Sequence, residues 1–325
     1  MHLIPDWETD HVTLVLPTVY MDIYNDYLCE LELFYADFLV EISKFDKVTC
    51  IVPNQAHREK MSRLSGVNPS IFYISCVKDI WLRDFTPVQL DKCYAKFIYN
   101  PSYCASHLNE STEQSCMEYF RVASEGNANI IPIDICLEGG NFICNGQGTV
   151  IMTEKLYSRN KSKSREEIES LLKNNLPIEK LVVIPVEPGD RTGHIDGMIR
   201  WLDRERIVIN DYNYANVHSR RFVDKLHACL DKHLPNVERI EIPYCPSPNK
   251  TYGWYNASGN YINFLRTKNM VYVPIYGIPE DEDAKEKYSQ IFGKHVCFLD
   301  ANAIAKYGGV FNCITITYKS GLIPI

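Results

Sequence analysis

The stretch RTGHIDGM, residues 191–198, sets a histidine and an aspartate at alternate positions, His194 and Asp196. Read as an extended segment, that spacing turns both side chains to one face. There they form either a hydrogen-bonded core pair or half of a chemical site. Three other stretches place polar side chains among apolar residues or glycines. CVKDIWLRDFTP carries Asp79, Trp81, Arg83 and Asp84. Its plain reading is an arginine–aspartate pair closing a turn; its chemical reading is a carboxylate facing a cation beneath the tryptophan ring. DICLEGGNFICNGQGT ends a strand-like run at Glu138, just before Gly139 and Gly140. Two glycines permit close backbone approach or unusual dihedrals, and Glu138 either caps a tight turn or faces a site. KYGGVFNCITITY puts Cys313 after a glycine pair and an asparagine, at the mouth of a strand. Such a thiol is inert when simply buried and nucleophilic when accessible with a lowered pKa.

Taken together, these stretches offer a candidate thiol at Cys313, a histidine and three or four carboxylates. That inventory suits a planar cation. Two carboxylates can grip a guanidinium, fix its plane and satisfy its donors, which leaves its central carbon open to a thiolate. A metal site fits less well, because there is no HExxH pair and one histidine with scattered acids is poor for zinc. A cysteine amidase or protease would need oxyanion donors rather than paired acids.

The 325 residues, 46% hydrophobic and 23% charged, can bury a large core. The net charge of −7 lacks the basic excess of a nucleic-acid binder. The basic run from Arg159 to Arg165 meets Glu166 and Glu167 at once and reads as a solvated loop entering a helix. The N-terminus MHLIPDWETD shows no signal-peptide pattern, and the apolar runs are too short to span a bilayer. A cytoplasmic protein is the expectation. The twelve cysteines show no CxxC spacing and are expected mostly as buried free thiols, with disulfides as the lesser reading.

Alternation and turn residues predict strands over 12–17, 47–53, 71–76, 86–91, 95–99, 129–134, 141–144, 148–153, 180–186, 197–203, 206–211, 238–244, 260–266, 269–275, 295–299 and 311–318. Helices are predicted over 22–43, 55–63, 112–123, 165–175, 217–232 and 281–291, with a Ser164–Glu167 capping box opening the fourth. A unit of hairpin, helix and strand recurs weakly at about 60 residues, and five such units fill the length. Neither strict strand–helix alternation nor a glycine fingerprint supports a dinucleotide-binding domain. No linker divides the chain, so a single domain over 1–325 is expected.

The pieces WLRDFTP, LEGGNF with NGQGT, TGHID, NYINFLRTKN and GGVFNCIT resemble, in this order, the agmatine deiminase and bacterial-type peptidyl-arginine deiminase family of guanidine-modifying enzymes. PDWETDHVTLVLP resembles the family's opening segment, so the likeness covers essentially the whole chain. The resemblance implies an α/β fold, a five-bladed α/β propeller (pentein) with pseudo-fivefold symmetry and a central active site. It implies Cys313 as nucleophile, His194 as general acid and base, and Asp84 and Asp196 as the carboxylates that hold the guanidinium. Glu138 is implied to bind His194 or a substrate nitrogen, and Trp81 to wall the substrate. The implied reaction is hydrolytic deimination to a ureido product and ammonia, with no cofactor and no metal. The implied partner is a small guanidine or a peptide arginine, and a homodimer is the family expectation. Asp190 stands where agmatine enzymes carry the acid near the substrate amine. Leu16, Pro17 and Thr18 depart from the family's Trp-Pro-His-like stretch, and Cys144, Asn145 and Gly146 from its usual turn. For a substrate carboxylate, Arg191 and Arg200 are the candidates. Amidino transfer on the same fold, and a noncatalytic propeller that binds a cation, are the competing readings.

Overall fold

The structure, a computed structural model, describes residues 1–17, 22–214 and 219–321. Among these residues, five mixed sheets repeat one pairing pattern. In each, a central strand has an antiparallel neighbour on one side and a parallel neighbour on the other. The central strands are His11–Val15, Tyr94–Ile98, Thr149–Thr153, Arg206–Asp211 and Val271–Ile275. Their antiparallel neighbours are Thr315–Tyr318, Val88–Gln89, Ile143–Cys144, Ile199–Trp201 and Leu265–Arg266. Their parallel neighbours are Lys47–Val52, Ile130–Cys136, Lys180–Ile184, Glu238–Pro243 and Val296–Asp300. Parallel pairing requires a crossover. Helices Leu28–Ile42, Ser106–Ala123, Arg165–Asn175, Arg220–His233 and Glu280–Phe292 supply one for each sheet. The hairpin–helix–strand unit is therefore real, although in the first sheet the hairpin strand comes from the far end of the sequence. That sheet gains a fourth strand, Phe72–Ile74, after helix Gln55–Ser65. Among the described residues, no strand pairing links these sheets, and none closes on itself.

The central strands read as near-continuous apolar runs because both faces are covered. Val150 to Thr153 and Ile207 to Asn210 are all buried. Helix Arg165–Asn175 has the predicted bounds and the predicted Ser164–Glu167 capping box. Of helix 217–232, residues 217 and 218 lie outside the described residues, as does Thr18. Short elements escaped prediction: helices Leu82–Phe85, Lys155–Arg159 and Asn302–Ala305, and the hairpin Lys250–Thr251 with Trp254–Tyr255. Elements of two to five residues complete no hydrophobic period, so composition alone does not betray them.

All twelve cysteines are free, and only Cys50, Cys93 and Cys116 are buried, so the thiols are less buried than expected. No helix among the described residues is long and apolar enough to cross a membrane.

His11 is buried in its strand, with Nε2 2.8 Å from Thr49 Oγ1. Burial, reinforced by Lys47, lowers its pKa from 6.5 to about 4. Between those two values the unfolded chain takes a proton that the folded chain refuses. Stability should fall across that window by roughly 3 kcal/mol on this account alone. A His11→Gln variant should lose less stability than the parent between pH 6.5 and 4, measured as urea midpoints.

Candidate active site

Three of the four polar stretches line one cavity of about 910 Å³, with Trp81, Asp84, Asp190, His194, Asp196 and Cys313 on its wall, and the fourth packs behind His194. Each enters from a different local structure. Asp84 lies in the short helix Leu82–Phe85. That helix is stitched to the cysteine segment, because Arg83 N–H donates to Cys313 O and Arg83 Nε to Asn312 O, each at 3.3 Å. Arg83 does not pair with Asp84. Its carboxylate neighbour is Asp6, at 4.0 Å, and Asp84 Oδ1 instead accepts from Gly140 N–H at 3.2 Å.

Gly139 and Gly140 have ordinary dihedrals, so close approach is what demands them. A Cβ on Gly139 would meet Arg83 O at 2.0 Å. One on Gly140 would meet His194 Nδ1 at 2.5 Å and Asp84 Oδ1 at 2.9 Å. Glu138 precedes them and makes no capping hydrogen bond. It is buried behind His194, outside the cavity lining, with Oε2 3.7 Å from Nε2.

His194 itself is extended, but Asp196 falls in a 3-10 turn, Ile195–Gly197, and the strand begins only at Ile199. The strand alternation expected for this pair is thus replaced by a tight turn, which still leaves both residues on the cavity wall. The imidazole is held between two acids, with Nδ1 3.6 Å from Asp84 Oδ1 and Nε2 facing Glu138. Burial by itself would lower the His194 pKa. Asp84, Glu138 and Asp196 outweigh burial and raise it to about 10. Burial pushes Asp84 up to about 7, with Asp196 and Glu138 adding to the rise and His194 opposing it. Burial also works against charge on Glu138, but the imidazole beside it keeps its pKa below the usual range.

Cys313 is half-buried. Its Sγ lies 3.9 Å from Asp196 Oδ2, and its backbone N–H donates to Asn263 Oδ1 at 3.3 Å. Burial first, then Asp196 and Asp84, push the thiol well above its ordinary pKa. Gly309 explains the second glycine pair. A Cβ there would sit 2.7 Å from Trp81 Cζ3 and 3.2 Å from Cys313 Sγ, so the indole and the cysteine both pack against a bare backbone. Gly308 has a φ of +89°, a left-handed conformation that favours glycine.

The sequence profile of the Porphyromonas-type peptidyl-arginine deiminase family matches residues 2–318. The chain belongs to this family. Members of the wider agmatine deiminase and peptidyl-arginine deiminase group recur among its relatives. A Marinomonas relative is 28% identical over 235 residues, covering 64% of this chain but only 63% of its own length. The agmatine deiminase of Pseudomonas fluorescens is 23% identical over 326 residues, covering 84% of this chain and 83% of the relative. Among solved structures, an agmatine deiminase from C. jejuni superposes with a TM-score of 0.84 at 24% identity, over 99% of this chain and 97% of that one. One from Enterococcus faecalis gives 0.78 at 18% identity, over 100% and 96%. These likenesses establish a shared fold.

Other residues of this deiminase-family chain sort by contact. Asp190 lines the cavity but closes its own turn, accepting from Thr192 N–H and Oγ1 at 2.8 Å and from Gly193 N–H at 2.9 Å. Arg200 is buried, donates to Phe264 O at 2.8 Å and pairs with Asp6, so it is structural and unavailable to a substrate carboxylate. Arg191 lies on the cavity wall, stacked 4.5 Å over Trp254. Sequence reasoning missed Asn263, Asn312 and Glu187. Glu187 lines the cavity and accepts from Tyr212 and Tyr244 hydroxyls. Both asparagines stood inside the recognised pieces NYINF and GGVFNC, but asparagine beside a strand end reads as a turn residue. Among the described residues, no cluster of three or more His, Cys, Asp or Glu could hold a metal ion.

Proposed function

We propose that this protein hydrolyses the C–N bond of a guanidine, releasing ammonia and a ureido product. The observation that carries this reading is a thiol and an imidazole on one cavity wall with two buried carboxylates, Asp84 and Asp196, while a third, Glu138, backs the imidazole. Such a wall is suited to a planar cation. In this assignment Asp84 and Asp196 hold the guanidinium, and Trp81 covers one face. The incoming cation offsets the two acids that suppress the Cys313 thiolate, so the thiol ionises when substrate arrives and its proton leaves to solvent. Sulfur attacks the central carbon. Protonated His194 gives its proton to the departing amine, and ammonia leaves. Neutral His194 then takes a proton from the water that attacks the cysteine-bound amidino carbon, and C–S cleavage releases the ureido product. Glu138 keeps the imidazole protonated for the first step. Asp190, already occupied by its turn, adds negative field to the outer cavity rather than a directed bond.

The same reading makes the five sheets the blades of one pseudo-fivefold α/β propeller and residues 1–325 a single domain. An amidase or protease is disfavoured, since the Cys313 backbone N–H is spent on Asn263 and cannot serve an oxyanion.

The test is a colorimetric assay for ureido product with agmatine, arginine, arginine peptides and methylated arginines, with and without added amines. Ureido product that is unchanged by amines is the expected result; consumption of the amine would identify amidino transfer instead. The pH profile should also follow the site. Asp84 must be ionised and His194 protonated, so kcat/KM should fall below about 7 and again above about 10. A Glu138→Gln variant should move the upper limb to lower pH, because the imidazole loses an acid that keeps it protonated. An upper limb that stays in place would remove Glu138 from this role.

A further inference from the structure

We propose that Asn312 is a positioning residue that sets the rotation of Asp196, and so prepares the cavity to take a cation. The inference rests on the guanidine reading above. Asn312 Nδ2 donates to Asp196 Oδ2 at 2.6 Å, and both side chains are buried. The same Oδ2 lies 3.9 Å from Cys313 Sγ. Asp196 Oδ1 carries no hydrogen bond among the described residues, so the amide holds one oxygen beside the sulfur and leaves the other for a ligand.

Asn312 itself is fixed by its backbone rather than by its side chain. Its N–H donates to Asn263 O at 3.1 Å, and its O accepts from Arg83 Nε at 3.3 Å. Asn263 completes the frame by donating to Asp196 O at 3.4 Å while accepting from Cys313 N–H. The nucleophile and its carboxylate are thereby referred to one backbone frame, and the Asn312 amide is the part of that frame that reaches the carboxylate oxygen.

Alkylation of Cys313 by a cationic reagent and by a neutral one separates positioning from general damage. Chloroacetamidine carries the amidinium charge; iodoacetamide does not. Both rates on Cys313 are followed by peptide mass spectrometry in the intact protein. In the parent, the cation should be strongly preferred relative to a free thiol such as glutathione, and Asp196→Asn should abolish that preference. Asn312→Leu keeps the branched outline, at some added bulk, and removes the donor. It should lower the cation-to-neutral rate ratio about tenfold or more. An unchanged ratio, or an equal fall in both rates, would overturn the role of Asn312 while leaving the guanidine reading intact. Absence of any cation preference in the parent would overturn both. Should the leucine variant not fold, Asn312→Ala gives the same readout without added bulk.

Discussion

Replacing Cys313 with alanine should reduce ureido formation on the order of 10⁴-fold or more, to the background rate, while leaving the fold and ligand affinity in place. The sulfur lies 3.9 Å from Asp196 Oδ2, a long contact, and the segment around it is held through backbone atoms by Asn263 and Arg83. Losing the thiol should therefore cost little stability. Asp84 and Asp196, the proposed guanidinium ligands, remain, and removing an un-ionised thiol beside them should change the dissociation constant of a guanidine ligand by no more than about threefold. Matched thermal unfolding, calorimetric titration and product assays on the two proteins give the comparison. Turnover retained by the alanine variant would dismiss Cys313 as nucleophile and leave the site as a cation-binding cleft.

Asp84→Asn should have the second-largest effect, and it carries a paired signature. In the Cys313→Ala background, where no reaction intervenes, guanidine affinity should fall about 100-fold or more, because a buried cation loses one of its two compensating charges. The asparagine carbonyl can still accept from Gly140 N–H, so the geometry is retained. Stability should move the other way. Burial and two neighbouring acids push Asp84 up to about 7. From its ordinary value of 3.8 up to that pH, the folded chain retains a proton that the unfolded chain releases, so the charge opposes folding. The variant should thus melt at an equal or higher temperature at neutral pH. Weak binding together with a lowered melting temperature would mean that Asp84 acts as a structural prop rather than as a ligand for the cation.

Much of this architecture was legible because its signals are periodic. Long amphipathic helices such as 165–175 declare themselves by capping and spacing, and the buried central strands by apolar runs such as VIMT and IVIN. The site was legible as a set of odd residues in glycine-rich places, which is how Glu138, His194 and Cys313 came forward. What was not legible is contact. Nothing local announces that Gly140 is bare because His194 and Asp84 press on it, or that Gly309 makes room for Trp81. The His194–Asp196 spacing suggested a strand, whereas a 3-10 turn delivers both residues to the cavity. Asn312 was invisible for the same reason: its partner, Asp196, is distant in sequence, and an amide side chain gives no hint of which oxygen it will meet.

The strand that follows Cys313, Thr315–Tyr318, zips against His11–Val15. Bringing such remote segments together is entropically late work in folding, because the intervening loop must first be shortened by structure of its own. An incompletely folded chain therefore carries at position 313 an ordinary thiol with solvent around it. On the proposed function, reactivity toward a cation would arise only when the earliest and latest described strands meet, so that chemical competence would report on topological completion.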